Sequence, residues 1–456
     1  MTAVEAMSLS IDPEALAREV AGRLGVVGAQ VAVLHRGRLS TGEAGVARLD
    51  TAVPVTPDTL FQIGSTTKVH TAALVMQLVE EGRIGLDTPV VEQMPGFRLS
   101  DAAATAAVTP RHLMSMSSGI DNGPYTNLGL GPDALGHYVE QLAEVPHVFP
   151  AGQGFGYSNA STCVSGRLVE HVTGQSWEEA LRERLLQPAA LLCSTPNVEE
   201  VITRRHALGH AVLDGEPVQL PSWSLPKSIN AAGGTLCSTA TDLVRFGQVF
   251  LQNGQSAVGT RILSPESVRS MQDVQVQVPP TLLADHWGLG PYGKVWNGGT
   301  LFGHSGTNLS GSSYLLWNAE HDLAVATLVN TPSLGYPFAQ AVFEEVFGRL
   351  AGLTPPKQPE PAEGVEIPFT RLVGTYEMTE CRFEVTRSGD DLMIQLFGDL
   401  IEAKPASRLV PITPTRYLPT DPVVDGNRGW ALAFLGAEGR HADYLLNGFF
   451  CTRWVA

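Results

Sequence analysis

The chain is short of positive charge. Its 456 residues carry 30 Lys and Arg against 46 Asp and Glu, a net charge of −16. Such an excess repels polyanions, so neither nucleic acid nor an anionic membrane is an expected partner. Lysine is scarce within the basic set and arginine dominates it, which makes the placement of a lysine informative. Long apolar runs are lacking, and none could span a bilayer. The opening Met1-Thr-Ala-Val-Glu-Ala-Met7 has no basic region followed by an apolar one. No secretory signal is read there, and a cytoplasmic protein is expected. Paired cysteines are lacking too. Cys163, Cys193, Cys237, Cys381 and Cys451 are scattered, with no Cys-x-x-Cys. That argues against a disulfide framework or a zinc site and for buried thiols in a reducing compartment.

What remains is an ordinary folding composition, 43% hydrophobic and 17% charged, with length for one large domain and a smaller one. Pro13 to Leu24 reads as a helix capped by Asp12. Gly28 to His35 and Leu39 to Val46 read as strands joined by an Arg36-Gly37 turn. Helices are expected from Pro110 (capped by Thr109), near Asp133 to Ala143, from Ala160 to Val172, from Trp177 to Leu186, and from the Ser238–Asp242 stretch to Leu251. Four strands follow, over Trp287–Trp296, Gly298–His304, Ser312–Asn318 and Leu323–Asn330, with a closing helix over Pro337–Leu350. Strands at both ends around helices predict an α/β (α+β) fold with one antiparallel sheet built from both ends of this region. Residues 1–354 are assigned to this domain. The Pro-rich stretch 355–365 reads as an extended linker. Residues 366–456, with turns at Ser388–Asp391 and Gly436–Gly439, read as a small all-β module, a barrel or a sandwich.

The stretch Phe61 to Val79 organises the chain. Ala72, Val75, Met76 and Val79 share one face of a helix that should end at Glu81-Gly82. Ser65 stands at its mouth, where a cap is expected, and Lys68 follows by nearly one turn. The pair fits a nucleophile with its own base, provided the lysine pKa is lowered. It also fits a plain N-cap beside a solvated lysine. Two further segments could meet it. Tyr157-Ser158-Asn159, on a Gly-rich loop, offers a phenol to relay a proton and an amide to orient a lysine. His304-Ser305-Gly306-Thr307 ends a strand, and Gly306 would let a substrate backbone lie along it. The Thr307 amide, paired with that of Ser65, could form an oxyanion hole. His304 could equally be structural. Gly156-Tyr-Ser-Asn-Ala160 approximates a nucleophile elbow around Ser158 but lacks the strand an elbow needs.

Ser-x-x-Lys, then Tyr-x-Asn, then a polar residue-x-Gly on a late strand resembles the serine penicillin-recognising superfamily of class C β-lactamases, DD-peptidases, related esterases and D-aminopeptidases. Gly82–Val90, Phe149-Pro-Ala-Gly152, Ala232-Gly-Gly234 and Arg261-Ile-Leu-Ser-Pro265 look like the same group. The resemblance implies a β-lactamase/transpeptidase-like domain and no cofactor or metal. It implies that Ser65 is acylated, that Lys68 and Tyr157 exchange the proton, that Asn159 positions Lys68 and substrate, and that the Ser65 and Thr307 amides bind the oxyanion, with His304 counted among the catalytic residues and Ser305 and Gly306 among those that bind substrate. Two departures stand out. His304 replaces a usual lysine, which disfavours substrates with a free carboxylate beside the scissile bond. Met116 replaces a frequent histidine. With the β module, the whole is similar to penicillin-binding-protein-type thioesterases and peptide cyclases of the surugamide-cyclase kind, whose C-terminal domain is lipocalin-like. That implies a peptidyl thioester on a carrier protein of a nonribosomal synthetase as donor and macrolactam closure as outcome. Hydrolysis of small esters or amides, or D-amino-acid-specific peptidase activity, uses the same motifs.

Overall fold

The computed structural model describes residues 11–280, 284–398, 405–421, 431–448 and 450–456. The N-terminal stretch read for a signal lies outside them. Helix α1, Pro13–Leu24, is capped by the Asp12 carboxylate and ends on Gly25 in the left-handed region. It leads into an eight-stranded sheet. The strands are β1 Gly28–His35, β2 Arg38–Gly45, β3 Val276–Gln277, β4 His286–Trp287, β5 Tyr292–Trp296, β6 Gly299–Thr307, β7 Ser312–Asn318 and β8 Leu323–Val329. Their spatial order is β2-β1-β8-β7-β6-β5-β4-β3. β1 lies antiparallel to β8, with Ala29 opposite Val329 and His35 opposite Leu323, so the two ends of the domain share one sheet as expected. Both strands are apolar with little alternation, because both faces are covered. One face packs on helix α2 (Thr67–Glu80), behind which lies α3 (Asn159–Thr173), and the other on α1 and α5 (Gly335–Ala351). Helix α4, Ala240–Leu251, capped by Thr239, lies against β7 and β8.

The structure corrects the reading of α2 twice. It is buried on nearly every side, including Thr67, Lys68, His70 and Thr71, where one apolar face was expected. A helix enclosed by other elements needs no polar face. Ser65 is not its cap. It sits in a 3-10 turn, Gly64–Thr66, that runs into the helix with no side-chain cap bond. The Ser313 hydroxyl donates to the Ile63 carbonyl at 2.6 Å and shares a 2.7 Å bond with Thr66, so β7 holds this turn. The expected strand over Trp287–Trp296 is also broken, into β4 and β5, and the hairpin His210–Leu213/Glu216–Gln219 was not foreseen.

Residues 355–362 form no helix or strand. Beyond them, β9 Gly374–Met378, β10 Cys381–Ser388, β11 Asp391–Gly398, β12 Ser407–Thr413, β13 Arg416–Pro419, β14 Leu432–Leu435, β15 Tyr444–Asn447 and β16 Phe450–Trp454 close into a barrel. The all-β module is therefore a lipocalin-like barrel and not a sandwich. It packs hard against the first domain. A Cβ on Gly156 would lie 3.1 Å from the Cys451 Cβ and 2.9 Å from the Phe149 ring, so the glycine is needed for this approach. The Thr379 amide donates to both Asp121 oxygens, at 3.2 and 3.0 Å, and the Tyr125 amide donates to the Glu380 carboxylate at 2.9 Å.

Candidate active site

The 3-10 turn, α2, the loop before α3 and the end of β6 meet at Ser65. The Lys68 Nζ lies 3.0 Å from Ser65 Oγ, 2.6 Å from Asn159 Oδ1 and 2.8 Å from the Ala232 carbonyl oxygen. All three partners are uncharged, and the lysine is buried. That burial lowers its pKa to about 7, with the nearby Cys163 a lesser influence the other way. At neutral pH a substantial fraction of Lys68 is therefore an amine able to take a proton. The Tyr157 ring lies under the same Nζ, 4.8 Å away, and its hydroxyl hydrogen-bonds with the Ser65 side chain. Burial raises the Tyr157 pKa well above its ordinary value. It remains a phenol, suited to handing a proton on rather than to acting as the resting base.

Asn159 accepts from Lys68 with its oxygen and donates from Nδ2 to the Tyr125 hydroxyl at 2.9 Å, which fixes its orientation. Gly306 runs against the serine turn. A Cβ there would lie 2.6 Å from the Ser65 amide nitrogen, and one on Gly64, whose φ is +48°, would lie 2.9 Å from the Thr307 nitrogen. The amides of Ser65 and Thr307 thus sit on touching backbones, the arrangement an oxyanion pair needs. β5 pairs with β6 only as far as Tyr292 opposite Gly303, while β7 pairs on to Thr307. From His304 to Thr307 one edge of β6 has no strand partner among the described residues, so an extended chain can add there.

His304 is buried, with Nδ1 2.5 Å from the Ser305 carbonyl oxygen. Nδ1 therefore donates and Nε2 carries the lone pair. Burial first, and the charge of Lys68 second, hold its pKa down to about 3. It is a neutral imidazole in the cavity wall and supplies no cation for a carboxylate. Ser305 faces Tyr292, with which it hydrogen-bonds. Ser158, the rival nucleophile, is fully buried as the cap of α3. It donates to the Asp121 carbonyl at 2.9 Å and accepts from the Ser161 amide.

A cavity of about 180 Å³ opens at Ser65, lined in part by Tyr157, Asn159, His304, Thr307 and Phe450. Phe450 comes from the barrel, and its ring meets Tyr157 edge-on with centroids 5.6 Å apart. Sequence reasoning missed it, and missed Tyr125 and the Ala232 carbonyl, because only the folded chain brings them here. Met116 also gains a part. Its backbone adopts φ +58°, its carbonyl accepts from Gly156 and its sulfur from the Ser158 amide, so it braces the Tyr157 loop.

A family model described as Beta-lactamase matches residues 14–344. "Penicillin-binding protein 4" of Amycolatopsis lactamdurans is 37% identical over 357 residues, 77% of this chain and 93% of that protein. The chain belongs to the β-lactamase family. Within this family the likeness to the crystal structure of SurE runs the full length, at TM-score 0.80 and 26% identity, over 99% of this chain and 100% of that one. SurE with D-Leu matches at TM-score 0.77 and 26% identity, over 97% and 98%. The D-amino acid amidase of Ochrobactrum anthropi SV3 matches at TM-score 0.64 and 23% identity, over 76% of this chain and 98% of its own, which shows a shared fold. The β-lactamase-family part of the chain thus carries the serine hydrolase fold, and the barrel is an addition that SurE shares. Among the described residues no helix is long and apolar enough to cross a membrane.

Proposed function

We propose that this protein is a stand-alone peptide cyclase of the thioesterase kind, in which Ser65 takes a nonribosomal peptidyl chain from a carrier-protein thioester and releases it by head-to-tail macrolactamisation. One observation carries the reading: the barrel completes the catalytic cleft, with Phe450 against Tyr157 in the cavity that holds Ser65. The full-length likeness to SurE supports it, and its complex with D-Leu favours a donor ending in a D-residue. The partner in this reading is the carrier protein, and the reaction is cytoplasmic.

The geometry supports the following steps. Neutral Lys68 takes the Ser65 proton as Oγ attacks the thioester carbonyl. The amides of Ser65 and Thr307 receive the oxyanion. Collapse breaks the C–S bond, and the thiolate leaves with a proton passed from Lys68 through Tyr157. The peptide's own amine then attacks the acyl-serine, its proton returns through Tyr157 and Lys68, and Ser65 leaves as the restored alcohol. Aromatic walls keep water from competing with the amine. The alternative is a D-amino-acid-specific amidase, peptidase or esterase, in which water is the acceptor. The fold shared with D-amino acid amidase favours it. Intact mass spectrometry with a peptidyl N-acetylcysteamine thioester ending in a D-residue separates the two. The expected result is an adduct on Ser65 that resolves to a product one water lighter than the free acid, and none on Ser65→Ala. Free acid as the sole product would overturn the cyclase reading.

A further inference from the structure

The cavity at Ser65 does not end at the catalytic groups. It continues past β6 to the side of the sheet covered by α5, where Lys294, Trp296, Tyr314, Tyr336 and Phe343 line it. Lys294 is half-buried and keeps part of its surface accessible, as a cavity-lining residue does. No hydrogen bond and no ion pair joins it to a described residue. Its contact is with the Tyr336 ring, 5.9 Å from Nζ to centroid. Two carboxylates influence it from farther off, and both are engaged elsewhere. Asp285 accepts from the Val295 amide at 2.6 Å, and Glu344 accepts from the Gln340 amide group at 2.6 Å. A cation in a mostly aromatic wall with no anion beside it can take one from a ligand.

We infer that Lys294 anchors an acidic side chain of the acyl donor, so that the enzyme selects peptides with Asp or Glu a few residues before the scissile carbonyl. This rests on the acyl-transfer reading of Ser65. The spacing supports it. Lys294 stands opposite Leu301 on β6, about 20 Å along an extended strand from Thr307. Its head leans toward Tyr336, whose ring centre is 6.4 Å from that of Tyr314, the residue opposite Ser305. That separation excludes Lys294 from the chemistry and puts its ligand on a residue upstream of the acylating one. The neutral His304 fits the same division. The cavity takes no charge beside the scissile bond and takes one farther along.

Calorimetric binding of C-terminally amidated peptides to Ser65→Ala protein tests this without turnover. In a scan over about the last six positions, the peptide carrying Glu at the preferred one should bind at least tenfold more tightly than its Gln counterpart. Lys294→Met should erase that preference. Equal binding of Glu and Gln peptides to the Ser65→Ala protein, a comparison that needs no change at position 294, overturns the inference. So does a preference that survives in Lys294→Met. The same peptides as thioesters, followed by mass spectrometry on the unsubstituted enzyme, report on Ser65 separately. Absence of an adduct there removes the acyl-transfer reading and leaves the binding result to stand or fall alone.

Discussion

Two lysines, one fully buried and one half-buried, serve one cavity and are held in opposite ways. Lys68 has three oxygen partners, one of them the Ser65 hydroxyl. Lys294 has an aromatic ring and no hydrogen-bond partner among the described residues. Burial lowers both, to about 7 and about 8, so burial alone does not separate a base from an anchor. Direction does. A base must point its lone pair at a proton that can move, and its other contacts must stop it from turning away. An anchor must be left wanting a partner.

The largest effect expected is at Lys68. Lys68→Arg keeps the charge but cannot deprotonate, and Ser65 acylation should fall on the order of 10⁴-fold, read as adduct formation in single turnover. Lys294→Arg should leave the Ser65 adduct forming at a readily measured rate, and equal losses at the two positions would break the comparison. The pH profile comes next. Acylation should rise with pH through about 7, as Lys68 loses its proton. Stability should move the same way. Both folded values lie below the ordinary 10.5, so between about 7 and 10.5 the unfolded chain binds more protons, and folding becomes more favourable as pH rises. Below that window both lysines are charged in both states, and the burial penalty applies in full. Urea unfolding at pH 7.5 and 9.5 should show a smaller rise for Lys294→Met than for the parent.

Phe450→Ala should act on outcome and not on the first step. With the barrel's wall thinned, water reaches the acyl-serine, and the linear-to-cyclic product ratio should increase about tenfold by chromatography. The smallest effect is at Asp121. Asp121→Ala leaves the Thr379 amide unpaired at the domain junction and should cost about 1–3 kcal/mol, seen as a lower melting temperature. If Asp121→Ala also shifted the product ratio as far as Phe450→Ala, seating of the barrel, and not the Phe450 ring, would be the sealing element.

Much of this was legible from residue types. Ser65, Lys68, Tyr157 and Asn159 announce themselves through spacing, and the structure brings them within hydrogen-bonding or ring contact of Lys68. Caps at Asp12, Thr109 and Thr239 fell where short polar side chains precede helices. What stayed hidden depends on contacts distant in sequence. Ser65 reads as a cap because serine often is one, yet the Ser313 hydroxyl, from a strand near the other end of the domain, holds the turn in another geometry. The one-faced reading of α2 failed because periodicity cannot show that Thr71 meets the Ala231 carbonyl and Trp177. Lys294 gave no signal, since an alternating strand shows which face a lysine takes but not that the counter-charge is missing.

The contact between Gly156 and Cys451 has a consequence for anyone recombining such proteins. A side chain at 156 and a β carbon at 451 claim the same space, so the catalytic loop and the last strand must be exchanged as a set. A chimera that borrows a foreign barrel will tolerate it only if that barrel is equally slender at this point, and libraries built by swapping C-terminal modules should be screened at these two positions first.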